Sequence, residues 1–207
     1  MRKTHILGLD LSTTQVGYAI TDLEGNLEII GFDNPYPGGR VAQKLRDIEQ
    51  LLGWLLNSND DFYVSIEYPR GYDMSVMFKL GQINGATHMV LSRYTQIMNY
   101  AEYDPSKGKM ALHGKGNADK QMQMDAFRIL YPDWEKYRHL MRPKDFKPLK
   151  PFKYKSKETK IEEMRLEPDT LTNDEADAYA QCLCVVQQRE ATYVHSLSKK
   201  GVMLFNE

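Results

Sequence analysis

The stretch Ile6-Leu7-Gly8-Leu9-Asp10-Leu11-Ser12-Thr13-Thr14 decides how the rest of the chain is read. Apolar residues run up to a single acid and small hydroxyl residues follow it. Val16-Gly17-Tyr18-Ala19-Ile20 then resumes the apolar run. This pattern predicts a buried first strand, a tight polar turn and a second strand. An ionised carboxylate among so many apolar neighbours is costly unless something positive compensates it. A bound divalent cation would do so. A turn-forming Asp that caps a local amide is the other reading of this stretch taken alone.

Working outward, residues 5–11, 15–22 and 26–33 read as three strands, with Asp22-Leu23-Glu24-Gly25-Asn26 as the turn between the last two. Residues 40–56 carry Val41, Leu45, Ile48, Leu51, Leu52 and Leu55 at helical spacing. Residues 62–66 form a short strand, the central one, beside the first. It runs into Glu67, followed by Tyr68-Pro69-Arg70-Gly71-Tyr72. If the two acid-terminated strands lie parallel, Asp10 and Glu67 meet at their carboxyl ends, where the sites of open α/β sheets are found.

Residues 75–94 read as a helix that contains Gly81 and Gly85, and residues 96–103 as a further strand. Small residues four apart admit a closely packed neighbour, more commonly within a chain than between subunits. Residues 104–116 read as a Gly- and Lys-rich loop holding Lys107, Lys109 and Lys115. Asn117 follows as the N-cap of a helix to Leu130 that includes Lys120. Basic residues at a helix N-terminus can cradle phosphate; a solvated loop has the same composition. No Gly-x4-Gly-Lys-Ser/Thr loop of the Walker type occurs. Thr172-Asn173-Asp174-Glu175 has capping-box spacing and opens a helix to about residue 189. Asp174 and Asp177 share one face of it, where like charges repel unless a metal or the helix dipole offsets them. An exposed, acid-rich helix start is the plainer alternative.

Composition bounds these readings. With 207 residues, 42% of them hydrophobic, the chain is expected to form a single α/β domain over 1–207. Neither a signal peptide nor a membrane span is expected. Cys182 and Cys184 stand two apart on a helix, so they read as unpaired core thiols, consistent with the cytoplasm of a bacterial or phage-infected cell. The net charge of −1 hides an uneven distribution: 6 basic against 10 acidic residues in 1–70, 17 against 9 in 71–160, and 4 against 9 in 161–207. A basic middle between acidic ends fits a polyanion-binding surface around an acidic site. The excess peaks in residues 138–160, where Lys147, Lys150, Lys153 and Lys155 alternate with Pro148, Pro151, Phe152 and Tyr154. That insertion reads as a DNA-contacting segment or a solvated linker.

Asp10, Glu67, Asp174 and Asp177 form an oxygen-only donor set, which suits Mg²⁺, or Mn²⁺ in its place, rather than structural zinc. Two such ions about 4 Å apart would clamp a phosphodiester and activate water.

The order and context of these pieces resemble the RuvC family of Holliday junction resolvases, which have an RNase H-like fold. The residues that carry the resemblance are Ile6-Leu7-Gly8-Leu9-Asp10 with Gly17-Tyr18, Ile66-Glu67, Lys79-Leu80-Gly81-Gln82 with Gly85, Gly116-Asn117-Ala118-Asp119-Lys120, and Asn173-Asp174-Glu175-Ala176-Asp177-Ala178. The resemblance implies a mixed five-stranded sheet flanked by helices. It also implies a structure-selective DNA endonuclease that leaves 5′-phosphate and 3′-hydroxyl ends. Asp10, Glu67, Asp174 and Asp177 would be its metal-binding catalytic acids, with two Mg²⁺ ions per site. Lys120 would be its catalytic lysine, and residues 75–94 its homodimer interface on branched DNA. Arg70, Tyr72, Lys107, Lys109, Lys115 and the four insertion lysines are the expected DNA contacts.

The chain departs from the family pattern twice. Where the family often has a Phe wedge, the wedge here is Tyr72, Tyr68 or missing, and the stretch between Lys120 and Asp174 is longer, with the basic insertion inside it. Strict junction resolution and general cutting of branched DNA both stay open. The rival readings are a non-catalytic branched-DNA-binding protein of the same fold and a sugar-kinase or actin-like ATPase, whose first strand ends in a similar Asp-turn-Thr pattern.

Overall fold

Strand β1 (Thr4–Leu11) is the centre of a five-stranded sheet ordered β3-β2-β1-β4-β5. The computed structural model describes residues 2–13, 15–33, 41–70, 73–141 and 171–199. Strands β2 (Val16–Thr21) and β3 (Leu27–Asp33) meander antiparallel from β1. The turn between them is tied by Asp22, whose Oδ1 accepts from the amides of Glu24 (3.0 Å) and Asn26 (2.8 Å). On the other side, β4 (Asp61–Glu67) and β5 (Ile97–Tyr103) run parallel to β1. The mixed sheet is therefore the expected one. The strand ending in Glu67 neighbours the centre rather than occupying it, because β2 and β3 fill only one side of β1.

Strand alternation divides the core in two. Leu7 and Leu9 face one way, towards Ile48, Leu51, Leu52 and Leu55 of α1 (Val41–Leu55) and Ile83, Val90 and Leu91 of α2 (Met74–Leu91). Ile6 and Ala19 face the other way, towards Ala176, Ala178, Tyr179 and Cys182 of α5 (Asn173–Lys199) and Phe127 of α4 (Lys120–Leu130). Alanines let α5 lie flat on the sheet, and glycine lets it lie lower still: a Cβ at Gly17 would collide with the Asp174 carbonyl. Cys182 and Cys184 are buried and unpaired, as their spacing requires.

Four further expectations change. Residues 104–116 are not a loop: α3 (Pro105–His113) forms there, with Asp104 as N-cap (its side chain accepts from the Ser106 amide at 2.9 Å) and Pro105 at the first position. The glycines that suggested a loop have helical uses. Gly114 ends α3 in the left-handed region (φ 80°), and Gly108 packs on Ala180 and Gln181 of α5. The N-cap of α4 is Asp119, not Asn117; its side chain accepts from the Met122 amide (2.9 Å), which makes Lys120 the first helical residue. Helix α5 continues to Lys199, past the expected 189; no Gly or Pro interrupts it. Finally, a Cβ added at Gly81 or Gly85 would meet nothing within 4 Å, so neither glycine seats a neighbour among the described residues.

Candidate active site

At the carboxyl ends of β1 and β4, a cavity of about 340 Å³ is lined by Asp10, Glu67, Asp174 and Asp177 together with Arg70, Lys109, Lys120 and Asn173. Each acid arrives by a separate local rule. Leu9 pairs with Ile66 across the parallel ladder, so Asp10 and Glu67 are the next residues on their strands and turn to the α5 side of the sheet. The turn after Asp10 is closed by Ser12, whose hydroxyl donates to the Gln15 carbonyl (2.7 Å) and accepts from the Gln15 amide (2.9 Å). Lys44 Nζ also donates to the Thr13 carbonyl. Asp10 is thus not needed as the turn cap.

The first turn of α5 supplies the other two acids. The capping box forms as its spacing predicts: the Thr172 amide donates to Glu175 Oε2 (2.8 Å), and the Glu175 amide donates to Thr172 Oγ1 (3.2 Å). This sends Glu175 inward and leaves Asp174 and Asp177 on the cavity side.

Burial raises the proton affinity of all four carboxylates, and neighbouring acids add to it at Asp10, Glu67 and Asp177. Asp10 is pushed well above the usual range, first by loss of solvent and then by the charges of Glu67, Asp174 and Asp177. Glu67 is raised to about 7 by burial and then by Asp177, with Lys109 opposing. Asp177 is raised to about 6 by burial, against a hydrogen bond from Asn173 Nδ2. Asp174 is raised by burial, with Lys120 opposing. Lys120 occupies the positive end of α4, the unfavourable end for a cation; the carboxylates across the cavity compensate it.

The donor chemistry fits a hard divalent cation. All four acids offer oxygen, no His or Cys lines the cavity, and the buried Asn173 Oδ1 has no hydrogen-bond partner among the described residues. Among those residues, no three His, Cys, Asp or Glu side chains close into a finished cation cage; the four carboxylates line the cavity. A cation there would offset the cost of burying these charges and the repulsion among Asp10, Glu67 and Asp177.

The remaining expected contacts divide. Lys109 and Arg70 are at the cavity, with Arg70 held by an ion pair to Asp104. Tyr68 is half exposed at the cavity wall. Lys107 lies over the Tyr103 ring and Lys115 sits on the exposed turn before α4; neither lines the cavity. Tyr72, Lys147, Lys150, Lys153 and Lys155 lie outside the described residues, as does the insertion beyond Met141.

Two cavity neighbours were not anticipated. Asn173 is the first residue of α5, and Gln181 follows Asp174 by two turns on the same face. Gln181 is buried, lies beside Glu67 and has Ser65 Oγ 3.4 Å from its Oε1. That seven-residue spacing was the available signal.

A family model described as Crossover junction endodeoxyribonuclease RuvC matches residues 6–132. The chain belongs to the RuvC family. It is 34% identical over 121 residues to the Crossover junction endodeoxyribonuclease RuvC of Helicobacter acinonychis, covering 56% of this chain and 75% of that one. The relative of the same description in Prochlorococcus marinus is 28% identical over 124 residues, covering 58% and 78%. The solved structure of Thermus thermophilus RuvC superposes with a TM-score of 0.58 at 19% identity, covering 91% of this chain and 97% of that one. The same protein in complex with a Holliday junction substrate gives 0.58 at 16%. The fold is thus the RNase H-like one of RuvC. The family match ends at 132, so it spans Asp10, Glu67 and Lys120, whereas Asp174 and Asp177 join them through the fold alone.

Proposed function

We propose that this RuvC-family chain is a divalent-metal-dependent endonuclease that resolves Holliday junctions or other branched DNA. The observation that carries this reading is the convergence of Asp10, Glu67, Asp174, Asp177 and Lys120 on one cavity at the sheet's carboxyl edge. The four acids would hold Mg²⁺, with Mn²⁺ able to replace it and two ions accommodated. When bound, the ions supply Lewis acidity for water activation and leaving-group stabilisation. Lys120 and Lys109 place positive charge beside the phosphodiester and oppose charge that builds up in the transition state. The walls of β1, β4 and α5 limit water around the acids. In-line attack by water would leave 5′-phosphate and 3′-hydroxyl ends.

Arg70, Lys107, Lys109 and Lys115, with Lys147, Lys150, Lys153 and Lys155 of the insertion, would carry the DNA backbone contacts; a stacking wedge, if the chain has one, would be Tyr68 or Tyr72. The outer face of α2 suits a two-fold homodimer: Met74 is 84% exposed, Phe78 69% and Met89 56%, and Gly81 and Gly85 are open between them. Two sites related by that axis would place symmetric nicks in opposing strands. Residues 1–207 would act as one nuclease domain in the cytoplasm. No described helix is long and apolar enough to cross a membrane.

The test is cleavage of a labelled immobile four-way junction, beside a flap and a linear duplex of shared sequence, with Mg²⁺ and with chelator. Paired symmetric nicks confined to the junction support a resolvase, and equal cutting of the flap supports a general branch nuclease. Metal-independent binding without cutting of any substrate overturns the catalytic reading.

A further inference from the structure

Arg138 lies outside the cavity and beyond the family match, which ends at 132. It nevertheless forms the most deeply buried ion pair among the described residues, with side chains 7% and 0% exposed for Arg138 and Glu175. The pair is bidentate: Nε donates to Glu175 Oε1 and a terminal nitrogen to Oε2, both at 3.0 Å. The guanidinium is stacked against Phe32 and Trp134, 5.0 Å from each ring centroid. Its backbone neighbour is fixed as well, because His139 donates its amide to Ile30 (2.9 Å) and accepts from Tyr18 Oη (2.5 Å). The strap around Arg138 is therefore anchored to β2 and β3, and its guanidinium reaches across to α5.

Glu175 stands between Asp174 and Asp177 in sequence and belongs to the capping box that starts their helix. The first turn of a helix has few backbone bonds of its own and frays easily. Here that turn is gripped from inside the protein, while its two outer acids face the cavity. The planar guanidinium fork fixes the Glu175 carboxylate in both position and orientation, which an ammonium would not do.

We propose that Arg138 is a positioning residue for Asp174 and Asp177: by clamping Glu175 it sets where these two acids stand relative to Asp10 and Glu67 when a divalent cation binds. This rests on the metal-binding reading of the site given above. The test compares wild type, Arg138→Lys and Arg138→Gln/Glu175→Gln, each checked for folding by circular dichroism and thermal melting. Three quantities are measured: Mn²⁺ affinity by calorimetry, kcat and KM on a four-way junction across Mg²⁺ concentrations, and junction binding in chelator. The expected result is an about 10–100-fold loss of Mn²⁺ affinity in the double variant, and a smaller loss in Arg138→Lys. At fixed Mg²⁺ kcat falls by a similar factor and recovers as Mg²⁺ is raised, with KM and chelator-phase binding unchanged. A merely structural role would not make the defect titrate away with metal. A folded double variant that binds Mn²⁺ as wild type does overturns the proposal. If the double variant does not fold, Arg138→Lys decides by the same measurements. Wild type without Mn²⁺ binding would remove the metal reading itself, and this proposal with it.

Discussion

Asp10 and Glu67 stand one residue past the paired positions Leu9 and Ile66 of two adjacent parallel strands. Leu9 and Ile66 belong to the core beneath α1 and α2. Strand alternation therefore turns both following carboxylates to the opposite face, where α5 presents Asp174 and Asp177. The pairing is a matter of register: slipping either strand by one residue would exchange an acid for a core side chain.

Asp174→Asn keeps the shape of that side chain and removes its charge. Cleavage should fall by at least about 10²–10³-fold, comparable to the loss of a single transition-state stabilising group. Junction binding measured in chelator should persist, because a negative charge near phosphate has been removed. Near-normal cleavage by the variant would take Asp174 out of the mechanism.

The raised carboxylates make a prediction about pH. Glu67 at about 7 and Asp177 at about 6 lie above ordinary unfolded-chain values, so the folded protein holds the extra protons. Their contribution to stability is fully present below about pH 4 and is lost as pH rises through 6 to 7. In chelator, Tm should therefore be higher at pH 5.5 than at pH 7.5. Added Mg²⁺ should narrow the gap by stabilising the ionised site, with proton release detectable by calorimetry in buffers of different ionisation heat. A Glu67→Gln/Asp177→Asn variant should lose most of the difference; an unchanged pH dependence in it would assign the effect to other groups.

Phe78→Glu places a charge in the middle of the exposed face of α2. Sedimentation should show a shift from dimer to monomer, and junction cleavage should change from paired nicks to uncoupled single ones. Wild-type mass and paired nicking in this variant would put the subunit contact elsewhere.

Neutralising Lys147, Lys150, Lys153 and Lys155 to Gln should weaken DNA binding and flatten its dependence on salt. If all four meet phosphates of duplex arms, the slope of log K against log salt should shrink by up to about 3–4. An unaltered slope would make the insertion a linker.

Local chemistry made much of this legible in advance. The apolar run up to Asp10, the strand ending in Glu67 and the Thr172–Glu175 capping box are short-range patterns, and each forms as read. Residues 104–116 form a helix where their composition suggests a loop, because Gly108 and Gly114 look alike in sequence, whereas one packs against α5 and the other caps α3. The N-cap of α4 moved to Asp119 because a suitable side chain nearer the helix competes better for its first amides. The spacing of Gly81 and Gly85 suggests internal packing, yet both lie open among the described residues, since four-residue spacing does not say on which side a neighbour stands.

By itself, then, the sequence determined the five strands, the acids near the ends of two of them, and the turn and the capping box beside the four acids; the mixed-sheet arrangement and the family came from the resemblance. The strands, turn and capping box depend on alternation, capping and spacing, all of which act within a few residues. Only the tertiary structure decided that Asp10 and Glu67 share a face with Asp174 and Asp177, that Lys120 and Lys109 oppose them, and that Arg138 holds Glu175. Those relations join residues far apart along the chain. They are set by strand register and by how closely α5 can settle on Gly17, quantities that no local pattern encodes.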